Sequence, residues 1–273
     1  ALLVALQGWP EPTRDSLKAR ALHQAARLHA AERRAPGQLR IVLTRGDLDE
    51  VLAARGRGEA VLAAVLATEG SHALDGELAA VAELHQAGFR MMGLHHFFDN
   101  RLGGSLHGTE KGGLTPFGRA VVKEMDRLEV MIDVAHSSPA VVEEVLALSQ
   151  RPIVVSHTGI HSVCPTPRNL DDALLQKVAA GGGLIGIGFW DGAVCDTTPA
   201  GVARSIARAI EIVGSRHVAL GSDWDGGTEV QMDASELPAL TQALLDEGLA
   251  EKEIRAVMGG NLARHLRENL PAK

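Results

Sequence analysis

The chain has 273 residues, 45% of them hydrophobic and 22% charged, with a formal net charge of −7. That balance suits a soluble globular protein and is unlike a disordered chain. The negative charge and the lack of Lys/Arg clusters argue against nucleic acid or an anionic membrane as the partner, and no apolar run is long enough to span a bilayer.

In chain order, apolar runs alternate with helical patterns. The runs are Ala1–Leu6, Ala60–Ala67, Met91–Leu94, Met131–Ala135, Pro152–Val155, Leu184–Phe189 and Val218–Leu220. They lack polar alternation, as strands covered on both faces do. Between them lie helical stretches at Arg14–Glu32, Leu78–Gln86, Phe117–Leu128, Pro139–Leu148, Ala173–Ala180, Pro199–Val213 and Leu237–Leu244, and a last one at Glu251–Glu268. Arg40–Ala54 adds an extra short strand and helix. Three helices are announced by Thr115-Pro116, Ser138-Pro139 and Thr198-Pro199, an N-cap followed by the residue best tolerated in the first turn. The pattern predicts an α/β fold with parallel strands in one domain spanning residues 1–273. A closed TIM-type (β/α)8 barrel needs eight strands, and the strict β-then-α count is seven. The barrel reading therefore expects one β-strand unit to be missing from the chain as given. The chain also opens on Ala1 rather than Met, which fits an upstream segment removed or left out.

The chemistry gathers at the ends of the runs. They finish in Glu69, His95-His96, His136, His157, Trp190-Asp191 and Asp223-Trp224-Asp225. Parallel strands put all these ends on one edge, where α/β sheets and barrels place their sites. A lone residue of this kind is as often a helix cap or a hydrogen-bonded loop residue, but the whole set on one rim is not. His136 and His157, at the ends of neighbouring strands, are the first candidates for a metal pair. Histidine and carboxylate ligands without cysteine suit zinc or another divalent ion with an open position for water. Such an ion lowers the pKa of its water to roughly 7, and Asp223 is placed to take and return the proton. His23, His29, His85, His217 and His265 read as surface or packing residues, while His72, His107 and His161 lie in rim loops without an assigned role. Gly181-Gly182-Gly183-Leu184-Ile185-Gly186 matches a dinucleotide fingerprint literally but precedes a strand, so it reads as a turn.

Several stretches together resemble the membrane dipeptidase (renal dipeptidase) family of amidohydrolase-type metal barrels. They are Ala67-Thr68-Glu69-Gly70, Gly113-Leu114-Thr115-Pro116-Phe117-Gly118, Ile132-Asp133-Val134-Ala135-His136, Val155-Ser156-His157, Arg168-Asn169-Leu170, Gly221-Ser222-Asp223-Trp224-Asp225-Gly226 and Gly260-Asn261. The resemblance implies that Glu69 bridges two zinc ions, with His136 and His157 completing the second zinc site. It implies that His96 polarises the scissile carbonyl, that Arg168 holds the substrate carboxylate, and that Asp223 binds the free amine and shuttles the proton. Trp190 falls where relatives carry an aromatic lining residue, commonly tyrosine, a residue this chain lacks entirely. A dipeptide substrate and a homodimer are implied in the same way. One departure is sharp. The family's His-x-Asp pair on the first strand occurs nowhere in the sequence, so only the Glu69–His136–His157 site is complete. A deacylase or lactonase using the same rim, and a non-catalytic relative that has lost its first metal site, are the competing readings. Cys164 and Cys195 lie past adjacent strands on this rim; a disulfide and two buried free thiols both fit that placement.

Overall fold

The structure is a computed structural model that describes residues 16–272 apart from Asp225. The Ala1–Leu6 run, the first residues of the Arg14–Glu32 stretch and Asp225 lie outside the described residues. Among the described residues, two parallel sheets are formed. β1 (Leu39–Ile41) pairs with β2 (Leu62–Ala64), and a six-stranded sheet runs in chain order from β3 (Leu66–Thr68) through β4 (Phe89–Gly93), β5 (Met131–Asp133), β6 (Val154–Thr158) and β7 (Leu184–Ile187) to β8 (Val218–Leu220). Neighbours that are consecutive in sequence, all parallel and each separated by a crossover, are the arrangement of a (β/α) barrel wall. The expected α/β barrel-type fold is therefore observed.

The helices are α1 (Leu17–Arg34), α2 (Arg45–Gly56), α3 (Ala79–Gln86), α4 (Pro116–Arg127), α5 (Pro139–Leu148), α6 (Asp172–Ala180), the one-turn α7 (Asp191–Val194), α8 (Pro199–Val213), α9 (Leu237–Asp246), α10 (Glu251–Arg255) and α11 (Asn261–Asn269). The predicted Thr/Ser-Pro starts are all present. Thr115, Ser138 and Thr198 accept from the backbone N–H of Gly118, Val141 and Gly201, with proline in the first turn of each helix. Each such cap is worth about 1 kcal/mol, and together they fix where a crossover turns from the reactive edge into its helix. Among the described residues, no helix is long and apolar enough to cross a membrane.

Two details depart from the sequence reading. The single run Ala60–Ala67 breaks at Val65: its first half pairs with β1 and its second with β4. The continuous helix expected over Glu251–Glu268 is interrupted, because Gly259 has φ 146 and ψ −22, a conformation open to glycine but costly for other residues. The helices bury the sheet. β5 and β7 are buried along their whole length, and Val121, Val142, Leu175, Val202 and Ile206 pack against them from the helices with no exposed surface. At the amino end of the strands α11 closes the base. Its Asn261 side chain donates to the carbonyls of Ser215 (2.6 Å) and Val218 (2.8 Å), tying the helix start to β8.

Candidate metal centre and substrate cleft

The carboxyl ends of β3 to β8 deliver Glu69, His96, His136, His157, Trp190 and Asp223 to one side of the sheet. A cleft of about 440 Å³ opens there, lined by Glu69, His96, His136, Arg168, Trp190 and Asp223 together with loop residues. Two of these side chains are aimed by unusual backbone. His136 (φ 63) and Asp223 (φ 57) are left-handed, a region that costs a residue with a Cβ about 1–3 kcal/mol and is held only where surrounding contacts over-determine it.

Three donor atoms converge at the floor. His136 Nε2 lies 3.0 Å and His157 Nε2 3.1 Å from Glu69 Oε1, and the two nitrogens are 2.9 Å apart. Two imidazole nitrogens and a carboxylate oxygen this close leave room for at most one proton between the rings. A cation seated over the triangle would engage all three lone pairs. The donor set is that of a zinc-type site, and tetrahedral bonds of 2.0–2.2 Å imply donor–donor edges of about 3.3 Å, only slightly wider than those present. The residues therefore fit a divalent ion. His96 Nε2 stands 3.6 Å from the same Glu69 oxygen, and its ring meets that of His136 edge-on at 4.7 Å. Two overlapping donor groups result, Glu69–His96–His136 and Glu69–His157–Asp223, each with its ligand atoms within 4.8 Å of one another. Glu69 is common to both.

The electrostatics favour unprotonated ligands. The neighbouring imidazoles of His136 and then His157 hold the Glu69 carboxyl far below the usual carboxylate range, against the opposing effect of its partial burial. Burial pushes the His136 imidazole down to about 3, because a charged ring there would lose its hydration. At neutral pH the floor thus presents a carboxylate and a neutral imidazole.

Arg168 adds a positive charge beside the floor, with its Nη2 3.4 Å from His136 Nε2. It is 7% exposed, its Nη2 donates to the His157 carbonyl at 3.0 Å, and its guanidinium stacks on Trp190 at 5.3 Å from the ring centroid. Burial lowers it to about 10, so it stays cationic at neutral pH. Among the described residues it has no ion-pair partner within 4 Å, which leaves a desolvated cation lining the cleft.

The loop carrying Arg168 is clamped to the loop after β7. Cys164 and Cys195 form a disulfide, which decides between the two thiol states the sequence left open. Beside it Asn169 donates to the carbonyls of Cys164 (2.8 Å) and Ala193 (2.9 Å) and accepts from Gly159 N–H (2.8 Å). One buried amide therefore joins the end of β6, the cysteine turn and α7. The Asn169 position stood in a quoted motif, but no role could be read for it without the fold.

Other histidines separate as expected. His29 and His217 bond backbone carbonyls, and His265 is buried at the base. Of the rim histidines without a role, His107 reaches the cleft, with its ring 5.3 Å from that of His136, whereas His161 is exposed. The sequence reading overlooked Asp133 and Ser156 behind His157, because their significance depends on strand register.

The sequence matches the profile of the family described as "Membrane dipeptidase (Peptidase family M19)" over residues 5–272. It is 33% identical over 215 residues to dipeptidase aclJ of Aspergillus oryzae, covering 75% of this chain and 51% of the relative. It is 31% identical over 229 residues to dipeptidase 3 of Mus musculus, covering 76% of this chain and 44% of that one. The chain thus spans about half the length of these curated relatives. Its fold is similar to a metallopeptidase of Rhodobacter sphaeroides solved with a phosphinate mimic of the dipeptide L-Ala-D-Ala, with a TM-score of 0.79 and 28% identity, covering 90% of this chain and 73% of that one.

Proposed function

This chain belongs to the membrane dipeptidase family, peptidase family M19, and from that premise we propose that it is a zinc-dependent dipeptidase. The observation that carries the reading is the convergence of Glu69, His136 and His157 on one point beside the buried Arg168. Glu69, His136 and His157 would hold the ion. When bound, the ion supplies Lewis acidity and lowers the pKa of a water in the cleft.

The remaining steps belong to the chain's own side chains. Arg168 pairs with the substrate's carboxylate through its planar fork, and stacking on Trp190 fixes the plane of that fork. Asp223, which lines the same cleft, binds the substrate's free amine and moves the proton to the leaving nitrogen. His96 donates to the carbonyl oxygen as negative charge develops there. A cation for one end of the substrate and an anion for the other, both lining a cleft of about 440 Å³, suit a small molecule with two oppositely charged termini. The phosphinate dipeptide mimic bound by the Rhodobacter relative supports the same substrate class. A homodimer, implied by the resemblance, belongs to the same proposal and is checked by light scattering.

The test compares free dipeptides with N-acetylated, C-amidated and lactone substrates before and after chelation. The proposal expects hydrolysis of free dipeptides alone, lost on chelation and restored by zinc. Turnover of blocked substrates that Arg168→Met leaves intact would assign the rim to a deacylase or lactonase, and no turnover with no retained metal would point to a non-catalytic relative.

A further inference from the structure

The two histidines of the floor are held differently. Among the described residues His136 Nδ1 is buried without a hydrogen-bond partner, whereas His157 Nδ1 lies 2.8 Å from Ser156 Oγ. Ser156 Oγ is in turn 2.6 Å from Asp133 Oδ2. We propose that Asp133 and Ser156 are positioning residues that fix His157 in its Nδ1-protonated form and so reserve Nε2 as a lone-pair donor to the cleft. This deepens the metal reading above and rests on it for the identity of the group at Nε2.

The proton count leads to that tautomer. The other Asp133 oxygen, Oδ1, accepts the backbone N–H groups of Ala135 (3.0 Å) and Ser156 (2.9 Å), and the side chain is only 4% exposed. A carboxylate so surrounded is an acceptor and takes the single hydroxyl proton of Ser156, at the short distance characteristic of an O–H···O⁻ bond. Only a lone pair of Oγ is then left for the imidazole. Nδ1 must carry the proton and donate it to Oγ. With a single N–H on the ring and that proton on Nδ1, Nε2 is bare. That bare nitrogen is the one 3.1 Å from Glu69 Oε1.

The backbone is shaped for this relay. On a regular strand Ser156 and His157 would point to opposite faces. The pairing of β6 with β7 is irregular between Val155 and Thr158, and a bulge of this kind re-aims side chains beside a site. Glycine on β7 and just past the end of β8 makes room for it. A Cβ on Gly186 or Gly221 would stand 2.1 or 2.3 Å from the Ser156 carbonyl oxygen.

The test uses the full chain and the variants Ser156→Ala, Ser156→Thr and Asp133→Asn. Nitrogen-15 NMR of metal-free protein reads the His157 tautomer, and zinc affinity is measured by competition with a chromophoric chelator. In the wild type His157 is expected as the Nδ1–H form. Ser156→Ala and Asp133→Asn should release it to a tautomer mixture and weaken zinc binding roughly 10–100-fold, and Ser156→Thr should restore both. An Nε2–H tautomer in the wild type, or a Ser156→Ala protein with unchanged tautomer and zinc affinity, overturns the proposal. The NMR result decides the relay whether or not zinc binds. Failure of the wild type to bind zinc would overturn the metal reading alone.

Discussion

Histidines lie buried at both ends of the sheet, and the two ends treat them differently. At the carboxyl rim, His136 and His157 meet a carboxylate, each other and, in His157, a serine relay. At the base, His265 of α11 is 1% exposed and neither ring nitrogen has a hydrogen-bond partner among the described residues. It borders a largely apolar cavity with Met91, Met131, Val154 and Leu266. Burial lowers the pKa of His136 to about 3 and of His265 to about 4, so desolvation alone does not mark function. Convergent neighbours do. An isolated imidazole can only be kept neutral, while a clustered one can share a cation.

The comparison is tested most severely at the shared oxygen. Glu69→Ala removes a donor from both groups at once, and metal retention and dipeptide hydrolysis should fall to background while the thermal unfolding midpoint changes little. His96→Ala should lower kcat about 10²–10³-fold, the usual loss for a donor to a developing oxyanion, with metal content retained. Arg168→Met should raise KM about 10- to 100-fold, equivalent to about 1.5–3 kcal/mol for a charged hydrogen bond, with a smaller effect on kcat. Replacing both Cys164 and Cys195 by alanine opens a loop of 31 residues and should cost about 2–4 kcal/mol in chemical denaturation. KM should rise before kcat falls, because the disulfide braces the Arg168 loop. The smallest effect belongs to the base. His265→Leu should leave hydrolysis unchanged and alter stability by no more than about 1 kcal/mol, since no hydrogen bond is lost.

The base also makes a signed pH prediction. The folded pKa of His265, about 4, lies below its ordinary value of 6.5, so the unfolded chain takes up the proton first. Its contribution is complete above pH 6.5 and is lost as pH falls toward 4. His265→Leu should therefore shift acid unfolding to lower pH, which circular dichroism during an acid titration would follow.

The strands, the proline-led caps and the strand-end ligands were legible because each depends on local pattern. A buried parallel strand is an unbroken apolar run, and the residue after it falls on the reactive edge whatever the rest of the chain does. Features set by register were not legible. Nothing local distinguishes Ser156 from any serine before a histidine until β6 bulges and brings it against Asp133 of the neighbouring strand. Val65 gives no sign that its run will divide between two sheets, and the Cys164–Cys195 bond depends on how two loops fold over one rim. Asn169 likewise acquires its role only when three distant backbone segments reach it.

The central claim, that the rim differs from the base by holding a cation, is tested most directly by a zinc-edge anomalous difference map from crystals equilibrated with zinc. The account predicts a peak about 2.0–2.2 Å from Glu69 Oε1, His136 Nε2 and His157 Nε2. A map with no peak at that point, or with zinc bound only elsewhere, would contradict it.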